Sequence, residues 1–308
     1  MSAPAKQYRF SGHQTFPLRI SWLPKTIELL KQDKDPLSDI DLGITHIGLG
    51  KNMVEALRCW IEAFQIAKKE PEGWKLTPIG NSIFDPAGGL DPYLEDHSTA
   101  WLLHWLIATD EQAPFFAWEC LFNRWTAPDF SETAVLEEFR RESERNPKSA
   151  STVTLRQHWD VFIHSYRPPR SGKGEDHLDC VLSVLGLIRE SGKRAGSDGR
   201  TEVRYEFDFS PKSSIPQQLF AYFLHDWWNR AFPEERTASV SEIVSGSRSP
   251  GRILRMPERE VLDRLTSLSS ERSPAFQLVE AASLRQVYRK RPSNGLGDLT
   301  SAYKTPRF

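Results

Sequence analysis

Residues 43–80 read GITHIGLGKNMVEALRCWIEAFQIAKKEPEGWKLTPIG. The glycine-punctuated turn Gly48-Leu49-Gly50 opens a helical run at Lys51. Met53, Leu57, Trp60, Ile61 and Phe64 then recur at helical spacing and form one apolar stripe. Lys51, Asn52, Glu55, Arg58 and Glu62 occupy the opposite side. A polar reversal over residues 68–73 separates Ile66-Ala67 from the strand-like Trp74-Lys75-Leu76, so the spacing predicts a hairpin behind the helix. Turn, long helix and hairpin in that order describe a winged helix-turn-helix, a fold that lays its long helix in the major groove of DNA. A phosphate-binding P-loop is excluded, because Thr45 stands where its first glycine belongs and Asn52 where it ends in Ser or Thr.

Outward from this stretch, the 308 residues suffice for two or three domains. The 17 Phe and 10 Trp predict aromatic-rich helical cores. No apolar run reaches membrane-spanning length and no signal-peptide core opens the chain, which points to the cytoplasm. Cys59, Cys120 and Cys180 make neither a disulfide framework nor a zinc pattern. A net charge of −1 excludes a uniformly basic coat, so nucleic-acid binding has to rest on local cations.

The fold class read from these patterns is α+β, predominantly helical, with tandem winged helix-turn-helix-like units. The predicted boundaries are 1–112 for a winged-helix domain with a helical extension and 113–210 for a winged-helix-like middle domain. They continue with 211–291 for a C-terminal helical and winged unit and 292–308 for a disordered tail. In the second unit a hairpin is expected from Val184–Ile188 against Val203–Phe209, its glycine-rich tip carrying Lys193, Arg194 and Arg200. That tip suits a wing touching phosphates, or equally an exposed loop with solubilising charges. Ser239 and Glu242 have capping-box spacing.

The candidates for chemistry are few. His13 and Arg19 lie in YRFSGHQTFPLRISWL (residues 8–23), where they grip a phosphate or, for His13, move a proton; local structure is the commoner role for such a segment. Asp91, Glu95 and Asp96 put three carboxylates in six residues, and Asp176 and Asp179 flank His177. Hard cations such as Mg²⁺ or Mn²⁺ take oxygen ligands, which makes Asp91 and Asp96 the candidate metal ligands. Helix capping is the commoner reason for acids ahead of a helix.

Taken together, FSGHQTFPLR (10–19), GLGKNM (48–53), LTPIG (76–80), DPYLED (91–96), WLLHW (101–105), Asp179-Cys180 and SPGR (249–252) resemble one bacterial family. It was long without assigned function and includes the SspB component of the Ssp DNA phosphorothioation system. The resemblance runs from Phe10 to Arg289. It implies participation in replacing a non-bridging phosphate oxygen of DNA by sulfur, beside ATPase and sulfur-transfer partners, in phage defence. It also implies strand nicking, for which Asp91, Glu95, Asp96, Asp176, Asp179 and His13 are the catalytic candidates. The expectation is therefore a DNA-binding subunit using Lys51, Asn52, Arg58, Arg19, Lys193, Arg194 and Arg200. The alternative is a winged-helix scaffold that binds partner proteins.

Overall fold

The structure, a computed structural model, describes residues 7–146, 148–167, 180–195, 201–281 and 284–303. The chain forms two compact units, Met1–Asp208 and Phe209–Phe308. Both mix helices with small antiparallel sheets, the helices predominating. Among the described residues no helix is long and apolar enough to cross a membrane.

The first unit opens with α1 (Trp22–Lys31), α2 (Ile40–Leu42) running into a π-helical turn at Gly43–Ile47, and α3 (Lys51–Ala63). The hairpin β1 (Ala67–Glu70) and β2 (Gly73–Leu76) follows, with Ala67 opposite Leu76 and Glu70 opposite Gly73. Gly48 ends the π-helical turn at φ 82°, in the left-handed region where glycine carries no Cβ penalty. The buried side of α3 is turned slightly from the predicted stripe. Val54 is fully buried and Met53 only half-buried, because Gly43 lacks the Cβ that would press on the Val54 methyls.

Asp35 fixes the hairpin from outside. Its carboxylate accepts hydrogen bonds from the backbone N–H of Leu37 (3.0 Å), Ser38 (2.9 Å) and Trp74 (2.9 Å). Burial alone would raise its pKa; the hydrogen bonds from Ser38, Trp74 and Leu37 outweigh burial and hold it below the usual value.

Next come α4 (Pro78–Phe84), α5 (His97–Thr109), and α6 (Phe116–Trp118) with a π-helical continuation at Glu119–Arg124. Thr77 caps α4 through its side chain, with Pro78 in the first turn. Then β3 (Asp129–Ser131), α7 (Glu132–Ser143), α8 (Thr152–Tyr166), β4 (Ile188–Ala195) and β5 (Thr201–Phe207) build a sheet ordered β3-β5-β4. The strand predicted to begin at Val184 begins at Ile188. Residues 183–185 form a 3₁₀ turn closed by Gly186 in the left-handed conformation, which delays the extended run. Lys193 and Arg194 consequently lie on β4, paired with Val203 and Glu202, rather than in a loop.

The core of this unit joins residues on both sides of position 112. Arg9 bridges to Phe115, and Trp60 packs on Phe115 and Trp118. Buried polar atoms are paired within it: Trp118 Nε1 donates to Tyr166 Oη (2.8 Å), and that hydroxyl lies 2.7 Å from His104 Nδ1.

The second unit contains α9 (Gln217–Ala231), β6 (Thr237–Ser239), α10 (Val240–Ser245), α11 (Pro250–Ile253) and α12 (Glu258–Ser269). After them come β7 (Phe276–Ala281), β8 (Leu284–Arg289) and α13 (Leu296–Tyr303), and the sheet order is β6-β8-β7. The capping box of Ser239 and Glu242 forms at α10. Residues 296–303 were expected in a disordered tail, but they form α13, which buries Leu299 and Ala302. Low hydrophobicity around them hides that two well-spaced apolar residues are enough to dock a short helix.

Candidate nucleic-acid interface

The turn ahead of α3 leaves Gly48, Gly50, Lys51 and Asn52 exposed, so the helix meets solvent at its N-terminal end. Beyond the first turn its outward side is occupied. Gln14 Nε2 donates to Glu55 (2.9 Å), Arg9 pairs with Glu62 (3.3 Å), and Gly12 sits against the Cys59 sulfur. Arg58 turns inward, donating from Nη2 to the Ser38 carbonyl at 3.3 Å, with its buried Nε unpartnered among the described residues. Of the α3 candidates, Lys51 and Asn52 are open to a ligand and Arg58 is half-buried.

The hairpin behind α3 exposes Lys68, Lys69 and Lys75, of which Lys68 and Lys75 pair with Glu70 and Lys75 also with Glu72. On the second hairpin Lys193 and Arg194 are exposed; Arg200 lies outside the described residues. Arg19 is half-buried, its guanidinium 5.9 Å from the Trp22 ring centroid.

His13 is only 2% exposed. Its Nε2 lies 2.9 Å from Nδ1 of His158, whose Nε2 accepts from the Ala117 N–H (3.0 Å). That N–H assigns the tautomers: His158 carries its proton on Nδ1 and donates it to His13, whose own proton sits on Nδ1. Burial, with Arg9 adding, lowers His13 to about 4; burial likewise holds His158 well below its ordinary value. A general base must reach its substrate, and this ring is enclosed by Trp60 and Phe115.

The first acid cluster is spent on the backbone. Asp91, 6% exposed, accepts from the N–H of Glu95 (2.8 Å), the N–H of Asp96 (3.0 Å) and the Thr99 hydroxyl. Asp96 caps α5 through the Ser98 N–H, and Glu95 is exposed. Oxygens already facing three donors do not fit a cation, so no catalytic step is derived through Mg²⁺ or Mn²⁺ here. Among the described residues no group of three or more His, Cys, Asp or Glu is placed to hold a metal ion. Asp176 and Asp179 lie outside the described residues. Asp91→Ala is expected to lower stability by about 2–3 kcal/mol by stranding buried donors. Thermal unfolding with and without Mg²⁺ checks this, a magnesium-independent loss being the expected result.

A family model described as a protein of unknown function (DUF4007) matches residues 10–300. The chain belongs to this family. No curated protein matches it. Its fold is similar to a magnesium ion-bound SspB crystal structure, with a TM-score of 0.81 and 23% identity over 97% of this chain and 90% of that one. A second SspB crystal structure gives a TM-score of 0.80 at 24% identity, covering 97% and 88% of the two chains. The motif resemblance to the SspB-like family is met by this likeness.

One anchor escaped the sequence reading. Asp35 looks like an ordinary turn residue before Pro36, yet it reaches Trp74 across 39 positions. A buried-looking partner for an Asp-Pro turn has no local signature.

Proposed function

We propose that the chain is a cytoplasmic DNA-binding component of a bacterial phosphorothioation and phage-defence system, one that positions duplex DNA for sulfur incorporation beside ATPase and sulfur-transfer partners. The observation that carries the reading is a repeated topology. Three times, helices end in an antiparallel hairpin: α1 to α3 with β1-β2, α7 and α8 with β4-β5, and α9 to α12 with β7-β8. In the latter two a short strand, ahead of α7 in one and between α9 and α10 in the other, joins the hairpin in the order first-third-second. Helices followed by a hairpin are what a winged-helix reading expects, and the hairpins of winged helices touch the DNA backbone. The shared fold with SspB supports the system assigned; fold alone carries no chemistry. Nothing in the described residues assembles a metal site for nicking, so the reading stops at binding and positioning.

With a net charge of −1, affinity has to come from a few cations, and Lys51, Lys193 and Arg194 are exposed for it. Fluorescence anisotropy on a duplex across a salt series tests this. Each of Lys51→Ala, Lys193→Ala and Arg194→Ala is expected to reduce the slope of log affinity against log salt by about 0.9. Unchanged affinity and slope in all three would remove the assignment. The second unit favours the scaffold role. The outward side of α12 carries Glu258, Arg259, Asp263, Thr266 and Ser267, an acidic-to-neutral surface suited to a protein rather than a polyanion.

A further inference from the structure

The three long helices that precede the hairpins differ in what they turn outward. On α3 only the first turn is open, and on α12 the exposed side carries Glu258 and Asp263 against the single cation Arg259. On α8 the buried side is Leu155, His158, Trp159, Phe162, Ile163 and Tyr166. Its first two turns send Thr152, Val153, Arg156 and Gln157 into solvent, at i, i+1, i+4 and i+5 and therefore on one face. No carboxylate stands among these four. Val153 is 66% exposed, an apolar side chain with no packing role.

Those side chains match the donor and acceptor pattern of base-pair edges. Arginine grips guanine O6 and N7, glutamine pairs with adenine N6 and N7, and the methyls of Val and Thr meet the thymine methyl. The start of the helix that enters the major groove is where such contacts are made. Arg156 pairs with half-buried Glu132 at 3.3 Å, but the Arg156 side chain is 66% exposed, and an ion pair open to water on that side is weak and exchangeable.

Beside the beginning of α8 runs an open groove of about 810 Å³, lined by Arg9, Ser11, Lys148, Ser149, Ser151 and Thr154 among others. Arg9 is engaged by Glu62 and the Ala113 carbonyl, which leaves exposed Lys148 and the hydroxyl groups to suit a sugar-phosphate strand. The hairpin that follows α8 in the chain exposes Lys193 and Arg194.

We propose that α8 is the base-reading helix of this protein: Thr152, Val153, Arg156 and Gln157 contact base-pair edges in the major groove, while the groove at its N-terminal end takes adjacent phosphates. This rests on the DNA-binding reading above and adds that the protein selects sequence, with the middle winged unit doing so.

The test is selection of bound duplexes from a randomised pool by the full chain, alongside the Arg156→Ala and Gln157→Ala variants. Both positions are exposed or helix-surface, so the variants fold. Wild type is expected to enrich a preferred sequence. Each variant is expected to lose discrimination at one position by about tenfold. Because Gln157 carries no charge, its variant should keep the wild-type salt slope while losing selectivity. An unchanged preferred sequence in both variants overturns the proposal, as does absence of any preference in wild type that still binds DNA. A wild type that binds no duplex would bring down the DNA-binding reading itself along with it.

Discussion

Gly80→Ala is expected to destabilise the first unit by about 3 kcal/mol, near the upper end for an added methyl in a packed interior. Gly80 sits within α4, where alanine would ordinarily be favoured by about 1 kcal/mol. Here a Cβ would fall 1.9 Å from the Ile66 carbonyl oxygen and 2.8 Å from its carbon. That carbonyl cannot yield cheaply. It accepts from the Thr77 N–H (2.9 Å) while the Ile66 N–H donates to Ile61 (2.9 Å), so the backbone between α3 and β1 is tied at both ends. Relief has to come from α4 moving away, which pulls on the Thr77 cap and on β2. Urea denaturation compares the two proteins, and equal or greater stability of the alanine variant would contradict this packing.

Acidification gives the second large effect. Between about pH 6.5 and 4 the unfolded chain protonates His13 and His158, whereas the folded chain excludes both protons. The first unit binds fewer protons when folded, so its stability is full above pH 6.5 and falls as pH drops toward the folded value of about 4 for His13. The loss approaches about 1.4 kcal/mol per pH unit for each histidine, or roughly 3 kcal/mol from His13 alone by pH 4. The geometry has the same sign: the 2.9 Å contact between the rings accommodates one proton, and a second, on His13 Nε2, would set two N–H donors against each other across stacked rings whose centroids are 5.2 Å apart. Hydrogen exchange followed over peptides of α3 and α8 localises the effect. This matters because His225 of the second unit, lowered to about 4 chiefly by burial, gives that unit a slope of its own. Exchange in α3 and α8 that is insensitive to pH between 6.5 and 4.5, after correction for intrinsic rates, would refute the neutral pair.

Much of the architecture is legible in the chain because its signals are local. The Gly48–Gly50 turn and the Ser239–Glu242 box each act within four residues, and each forms as read. The strand boundary after Val184 was misjudged because apolar content masks a left-handed Gly186. The interface candidates were harder. Arg58 and Lys51 look equivalent in sequence, yet one reaches back to Ser38 and the other is free of the core, a difference set by the turn ahead of α2, which lies earlier in the chain. Similarly, nothing near His13 announces a partner 145 residues away. No local signal marks Arg156 and Gln157, since exposure depends on what the rest of the unit leaves uncovered.

The Asp35 clamp separates two properties of the first hairpin that are usually entangled. Its seat is dictated from a loop upstream, through main-chain donors that every amino acid except proline possesses. Its electrical character resides in Lys68, Lys69, Glu72 and Lys75, all pointing to water and none engaged by Asp35. Substitutions can therefore recolour that rim, from cationic to anionic, while the ribbon keeps its place.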